Sequence, residues 1–228
     1  MLGAPLIAAL ATVALAAPVI PRQASCVSGV HIIVARGSNE DPGEGAPGVV
    51  ATLIKNAIPG SDSVAVDYPA SIISTSDPLY PKSVSDGITD TINKIHDYVD
   101  TCGASSRIVL IGYSQGGNVM TDVLAGGVFK PDPIDPSYGQ YITGVVVFGD
   151  PSFTYPESFD LGTSTSDGLF SRNEDGDSEA LLNTYSNVIE SYCDDGDPFC
   201  ASGDDEDVHH HYFDKYSQQA ADFIVSIN

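Results

Sequence analysis

Residues Arg107–Met120 read RIVLIGYSQGGNVM, and this stretch decides the fold. Arg107 to Ile111 is a short apolar run rich in β-branched side chains, the pattern of a buried strand. It runs into Gly112-Tyr113-Ser114-Gln115-Gly116, a G-x-S-x-G sequence. A helical pattern follows at once, with Val119, Val123 and Leu124 on one side, and stops at Gly126-Gly127. A serine hydroxyl is a weak nucleophile and must be presented, exposed, to a base. A sharp strand-to-helix turn does this, and glycines two residues to either side relieve the crowding. The free N–H groups and positive dipole end of the following helix suit a developing oxyanion. A Gly-rich turn between a core strand and a core helix can match the same three positions. The strand before and the helix after are what point to a nucleophile elbow.

Outward from this stretch, strand and helix patterns alternate. His31-Ile32-Ile33-Val34-Ala35 reads as a buried strand, followed by the turn-rich loop Arg36 to Gly43. Val49, Leu53 and Ile54 mark a helix face, and Ser63 to Tyr68 a second strand. Val84, Ile88, Ile92, Ile95 and Val99 step at three or four residues, the stripe of an amphipathic helix. Ile142 to Phe148 is a fourth strand, after the one at the elbow. A long Gly/Ser/Asp loop crosses to Asn187–Tyr192, a fifth, and Ala220, Phe223, Ile224 and Ile227 mark a closing helix. Such alternation predicts one α/β domain, a parallel sheet with helices on both faces.

Residues 1–16 are apolar, free of charged side chains, and end in Ala14-Leu15-Ala16, so they read as a secretory signal peptide. The run is shorter than the roughly 20 apolar residues of a membrane span. Residues 17–22 read as a pro-segment cut after Arg22, which leaves 23–228 as the domain and an extracellular destination. The roughly two hundred residues that remain suffice for one sizeable core. Four cysteines in a secreted chain imply two disulfides and allow three connectivities. Cys193 and Cys200, seven apart in a Gly/Pro/Asp loop, most simply close on each other, which leaves Cys26 for Cys102. The net charge of −22 argues against nucleic acid or an anionic membrane as partner. No zinc spacing, D-x-D-x-D-G loop or N-x-S/T acceptor is present, so no metal site is expected and N-glycosylation is not.

Ser114 needs a base and an orienting acid. His209, His210 and His211 are the histidines that follow it, in a polar segment before the last helix. Adjacent histidines do not easily converge on one ion, which favours the base over a metal reading. His31 in a core strand and His96 on a helix read as structural. Spacing leaves Asp150, Asp194, Asp195 and Asp197 as candidate acids. Asp150 also reads as a strand-end turn with Pro151. A loop closed by Cys193 and Cys200 would hold an aspartate rigidly, as an orienting carboxylate requires.

Taken together, Ala35-Arg36-Gly37-Ser38, Gly112 to Gly117, Gly149-Asp150-Pro151, Cys193-x-x-x-Asp197-x-x-Cys200 and a histidine before an aromatic-rich last helix resemble the cutinase and acetylxylan esterase family of fungal secreted serine esterases. The resemblance spans essentially all of the mature chain. It implies a small, lidless, single-domain α/β-hydrolase with a five-stranded parallel sheet. Acyl transfer of this kind needs no cofactor, and the domain is expected to act as a monomer. The resemblance further implies Ser114 as nucleophile, Asp197 as acid and His209 as base, with a slip to His210 left open. The oxyanion hole falls on the backbone N–H of Gln115 and on the N–H and hydroxyl of Ser38.

The ester itself is less determined. Val66-Asp67-Tyr68-Pro69-Ala70, Val109-Leu110-Ile111 and Ser191-Tyr192-Cys193-Asp194 resemble the acetylxylan esterase branch more closely, and Phe199 would place a ring beside the triad and shorten an acyl pocket. Two disulfides, however, is the cutinase count. The expected substrate is thus an ester on plant polysaccharide, acetyl groups of xylan first, with cutin as the alternative. A catalytically dead hydrolase scaffold that only binds is the alternative of another class.

Overall fold

A computed structural model describes residues 25–72, 79–127, 129–172 and 176–228. The elements are β1 His31–Ala35, α1 Gly48–Ala57, β2 Asp62–Ala65, α2 Leu79–Cys102, β3 Ile108–Tyr113, α3 Gln115–Ala125, α4 Pro136–Gly139, β4 Ile142–Phe148, β5 Asp160–Gly162, α5 Ser178–Asn183, β6 Ile189–Cys193, α6 Glu206–His210 and α7 Tyr212–Ile227. All strand pairs are parallel, in the order β2-β1-β3-β4-β6-β5. The proposed signal peptide and pro-segment lie outside the described residues.

Strands β1, β3 and β4 are apolar without alternation because both of their faces are covered. Ile33, Leu110, Val145 and Val147 face α2 and α3, where Val84, Ile88, Val119 and Val123 meet them. Their neighbours Ile32, Val34, Ile111, Val146 and Phe148 face the opposite layer, built from Val50 and Ile54 of α1 and Tyr212, Ala220 and Ile224 of α7. Helix α3 is buried along its whole length, which fixes the direction in which the residue before it points.

Among the described residues the sheet has six strands, not the five expected. The extra one, β5, lies inside the long Gly/Ser/Asp loop and pairs at the edge with β6 through Asp160↔Ser191, Leu161↔Tyr192 and Gly162↔Cys193. Three residues with no buried side chain carry no period for a sequence reading to detect. Disulfides join Cys26 to Cys102 and Cys193 to Cys200. The first ties the segment before β1 to the end of α2, and the second closes the loop after β6.

Candidate active site

Ser114 sits between β3 and α3 with φ 54° and ψ −120°, a strained conformation for a residue with a side chain. The turn is tight enough that a Cβ on Gly112 would lie 2.3 Å from the Gly116 carbonyl oxygen, and one on Gly116 would lie 2.1 Å from that of Ala35. Both positions therefore require glycine. The Ser114 amide donates to the Phe148 carbonyl at 2.8 Å, which locks the turn to β4.

His209 lies on the short helix α6, which Asp205 caps by accepting from the Asp207 amide at 3.1 Å. Its imidazole is buried between Tyr113 and Phe199, at ring-centroid distances of 5.1 and 4.5 Å. The Tyr113 hydroxyl donates to the His209 carbonyl at 2.9 Å and fixes the backbone. Nε2 lies 2.9 Å from Ser114 Oγ, and Nδ1 lies 2.7 Å from Asp197 Oδ2.

Asp197 is fully buried inside the loop closed by Cys193 and Cys200. Its Oδ1 accepts from the amides of Phe199 at 2.7 Å and Cys200 at 3.0 Å. Its Oδ2 accepts from the Tyr212 hydroxyl at 2.7 Å as well as facing His209. Burial pushes the carboxyl up, but the bonds from His209, Tyr212 and Cys200 outweigh it and hold Asp197 below the ordinary carboxylate value.

The other candidate acids have separate tasks. Asp194 accepts from Lys215 and Tyr216, each at 2.8 Å, and from the Thr163 amide at 3.0 Å, so it fastens the loop to α7. Asp195 is exposed. Asp150 is buried on the far side of α3, where it accepts from Thr121 at 2.7 Å and from the Ser152 amide at 2.8 Å. Burial raises its carboxyl. Of the triplet, His209 alone meets Ser114. His210 is exposed, with Nδ1 3.3 Å from the Tyr113 hydroxyl, and His211 is exposed.

Ser38 follows β1 in a loop held by Arg36, whose guanidinium donates to the Tyr68 carbonyl at 2.7 Å and the Glu40 carbonyl at 2.9 Å. Glu40 in turn accepts from the amides of Gly37 at 2.6 Å and Ala46 at 2.8 Å. The Ser38 hydroxyl and the Gln115 side chain converge on the Ser71 carbonyl, at 3.3 and 2.7 Å. Gln115 also accepts from Ser83 at 2.8 Å, and its backbone N–H opens α3, where amides lack intrahelical partners.

These groups border a cleft of about 570 Å³ that Ile72, Phe199 and Phe213 line on apolar sides and Asn39, Glu206 and His210 on polar ones. A hydroxyl, an imidazole and a buried carboxylate in this array can carry acyl transfer. The residue that sequence reading did not single out is Tyr212, whose one visible signal is its place three positions after His209 at the head of an aromatic-rich helix.

The family model described as cutinase matches residues 25–227. A cutinase 11 of Verticillium dahliae is 33% identical over 230 residues, covering 97% of this chain and 75% of the relative. Acetylxylan esterase 2 of Talaromyces purpureogenus is 31% identical, covering 86% of each chain. The solved catalytic core domain of acetyl xylan esterase from Trichoderma reesei superposes with a TM-score of 0.79 at 29% identity, covering 90% of this chain and 100% of that one.

Proposed function

Because the chain belongs to the cutinase family and is a carboxylic ester hydrolase, we propose that it is a secreted serine esterase that removes acetyl groups from plant cell-wall xylan through an acyl-enzyme. The observation that carries the reading is the continuous array Ser114 Oγ–His209 Nε2–His209 Nδ1–Asp197 Oδ2, with separations of 2.9 and 2.7 Å. His209 takes the proton of Ser114 as Oγ attacks the ester carbonyl, and Asp197 holds the tautomer and stabilises the imidazolium. The Gln115 amide and Ser38 stabilise the tetrahedral oxyanion, the Ser38 hydroxyl exchanging its long 3.3 Å bond to Ser71 for the developing charge. His209 returns the proton to the leaving alcohol. Water then enters by the same route in reverse, and acetate leaves. Every proton is handled by these side chains and water, so the chemistry calls for no cofactor or metal.

Acetyl as the acyl group is supported by the Phe199 ring, 4.5 Å from the His209 ring and on the cleft wall. Acetylxylan esterases among the relatives support the same choice. Ile72, 67% exposed on the cleft rim, favours a second reading, a cutinase acting on longer acyl esters at an apolar surface. Residues 1–16 act as signal peptide and 17–22 as pro-segment in this reading, and the mature domain works as a monomer.

The test is labelling by a fluorophosphonate. The wild-type protein is expected to lose activity stoichiometrically with modification of Ser114, and Ser114→Ala to take no label. Failure of the folded wild type to label contradicts the reading and leaves a scaffold that only binds.

A further inference from the structure

We propose that Tyr212 is a positioning residue of this esterase, sharing the reactive oxygen of Asp197 with His209 and thereby setting both the aim and the basicity of the imidazole. This rests on reading Ser114, His209 and Asp197 as the triad. His209 lies near the end of α6 and Tyr212 at the head of α7, and their polar atoms meet at one point. His209 Nδ1 and the Tyr212 hydroxyl each lie 2.7 Å from Asp197 Oδ2. All three side chains are buried.

The hydroxyl is itself aimed. It accepts from the Asp194 amide at 3.0 Å and lies 3.2 Å from Cys200 Sγ. The Tyr212 ring stands at 90° to the imidazole, 6.2 Å away, and tilts against Phe148. It therefore reaches Asp197 as a side chain held at both ends. The second carboxylate oxygen is occupied from within the loop by the Phe199 and Cys200 amides. The carboxylate then has no freedom to rotate, and neither does the ring hydrogen-bonded to it.

The chemistry follows from the shared oxygen. A carboxylate oxygen that accepts two bonds spreads its charge over both donors and is a weaker partner for each. Removing the Tyr212 hydroxyl concentrates that charge on Nδ1–H, which favours the imidazolium in the free enzyme. It also frees the carboxylate to turn. Tyr212 does not border the cleft, so substrate contact is unaffected. The other titratable groups around the imidazole stay in place: Tyr113, its ring 5.1 Å away and its hydroxyl on the His209 carbonyl, His210 at 5.8 Å between rings, and Glu40 and Glu206 on the cleft wall.

The experiment is the pH profile of kcat and kcat/KM on p-nitrophenyl acetate for wild type, Tyr212→Phe and Tyr216→Phe. Tyr216 bonds Asp194 at 2.8 Å, so its variant loosens the same loop without removing a bond to Asp197. Tyr212→Phe is expected to lower kcat about tenfold with KM unchanged, and to move the acid limb of kcat/KM upward by about half a pH unit. Tyr216→Phe is expected to leave that limb where it is. An unmoved limb in folded Tyr212→Phe, or the same movement in both variants, overturns the proposal. Should Tyr212→Phe not fold, 3-fluorotyrosine at position 212 keeps the packing and donates more strongly, and the limb must then move downward; an unmoved limb again overturns it. Fluorophosphonate labelling of the wild type separates the two levels. No label contradicts the triad itself, whereas label with an unmoved limb removes only the role of Tyr212.

Discussion

Among the described residues, two histidine–aspartate pairs of nearly equal length stand at different places around the same sheet. His31 Nδ1 lies 2.6 Å from Asp62 Oδ1, and His209 Nδ1 lies 2.7 Å from Asp197 Oδ2. The first pair joins the opening residues of β1 and β2, which lie side by side in register. There the His31 ring stacks flat on Tyr98 at 4.0 Å, and Asp62 is half in solvent, its side chain 41% exposed. The second pair sits beyond the carboxyl ends of the strands, where open parallel sheets gather their ligand sites. Asp197 is wholly dry there, and the imidazole turns its other nitrogen to Ser114. A short bond between imidazole and carboxylate is thus no sign of catalysis. What differs is the strained turn that delivers a hydroxyl and the cleft that opens beside it.

Substitution of the serine is expected to separate the two pairs most sharply. Ser114→Ala is expected to lower kcat/KM on p-nitrophenyl acetate by on the order of 10⁵-fold, and His31→Ala to leave it within about twofold. Asp197→Asn is expected to cost about 10⁴-fold by releasing the imidazole tautomer, while Asp62→Asn, the same change in the other pair, leaves the rate alone. If Ser38 is an oxyanion donor as proposed, Ser38→Ala is expected to reduce kcat about a hundredfold with KM little changed, because such a donor acts in the transition state.

Two carboxyls outside both pairs contribute to the response of stability to pH. Burial raises Asp160 to about 7, and burial together with Glu157 raises Glu179 to about 7. Unfolded carboxyls titrate near 4, so between these values the native state binds more protons than the unfolded one. The stabilisation is full below the unfolded value and is lost as pH rises through 7. Melting temperature is therefore expected to fall from pH 5 to pH 8, and Asp160→Asn to flatten the decline. The smallest effect belongs to the structural pair: Asp62→Asn is expected to cost less than about 1 kcal/mol in a urea titration, since its carboxylate is solvated.

Much of this frame was legible in the sequence because the central strands are buried on both faces and the elbow needs glycine at two fixed places. Edge strand β5 was not, since Asp160–Gly162 is short and partly exposed. The site was legible in unequal parts. Ser114 was marked by its local context, but spacing alone offered four aspartates and three histidines as partners. Which carboxylate reaches Nδ1 depends on how the loop from Cys193 to Cys200 folds back beneath α6, a tertiary fact with no local pattern. Asp150 misleads for the same reason: it follows β4 directly beside the elbow, yet its side chain turns to Thr121 on the far side of α3. Tyr212 is recognisable only once Asp197 is in place beside it.

In the proposed function this triad works behind a short acyl pocket bounded by Phe199. The most direct test is kcat/KM of the mature protein on p-nitrophenyl esters from acetate to decanoate. The highest value is expected for acetate, with a steep fall for each added pair of methylenes. A maximum at butyrate or longer would contradict the closed pocket and favour the cutinase reading, and no turnover of any ester would contradict the esterase itself.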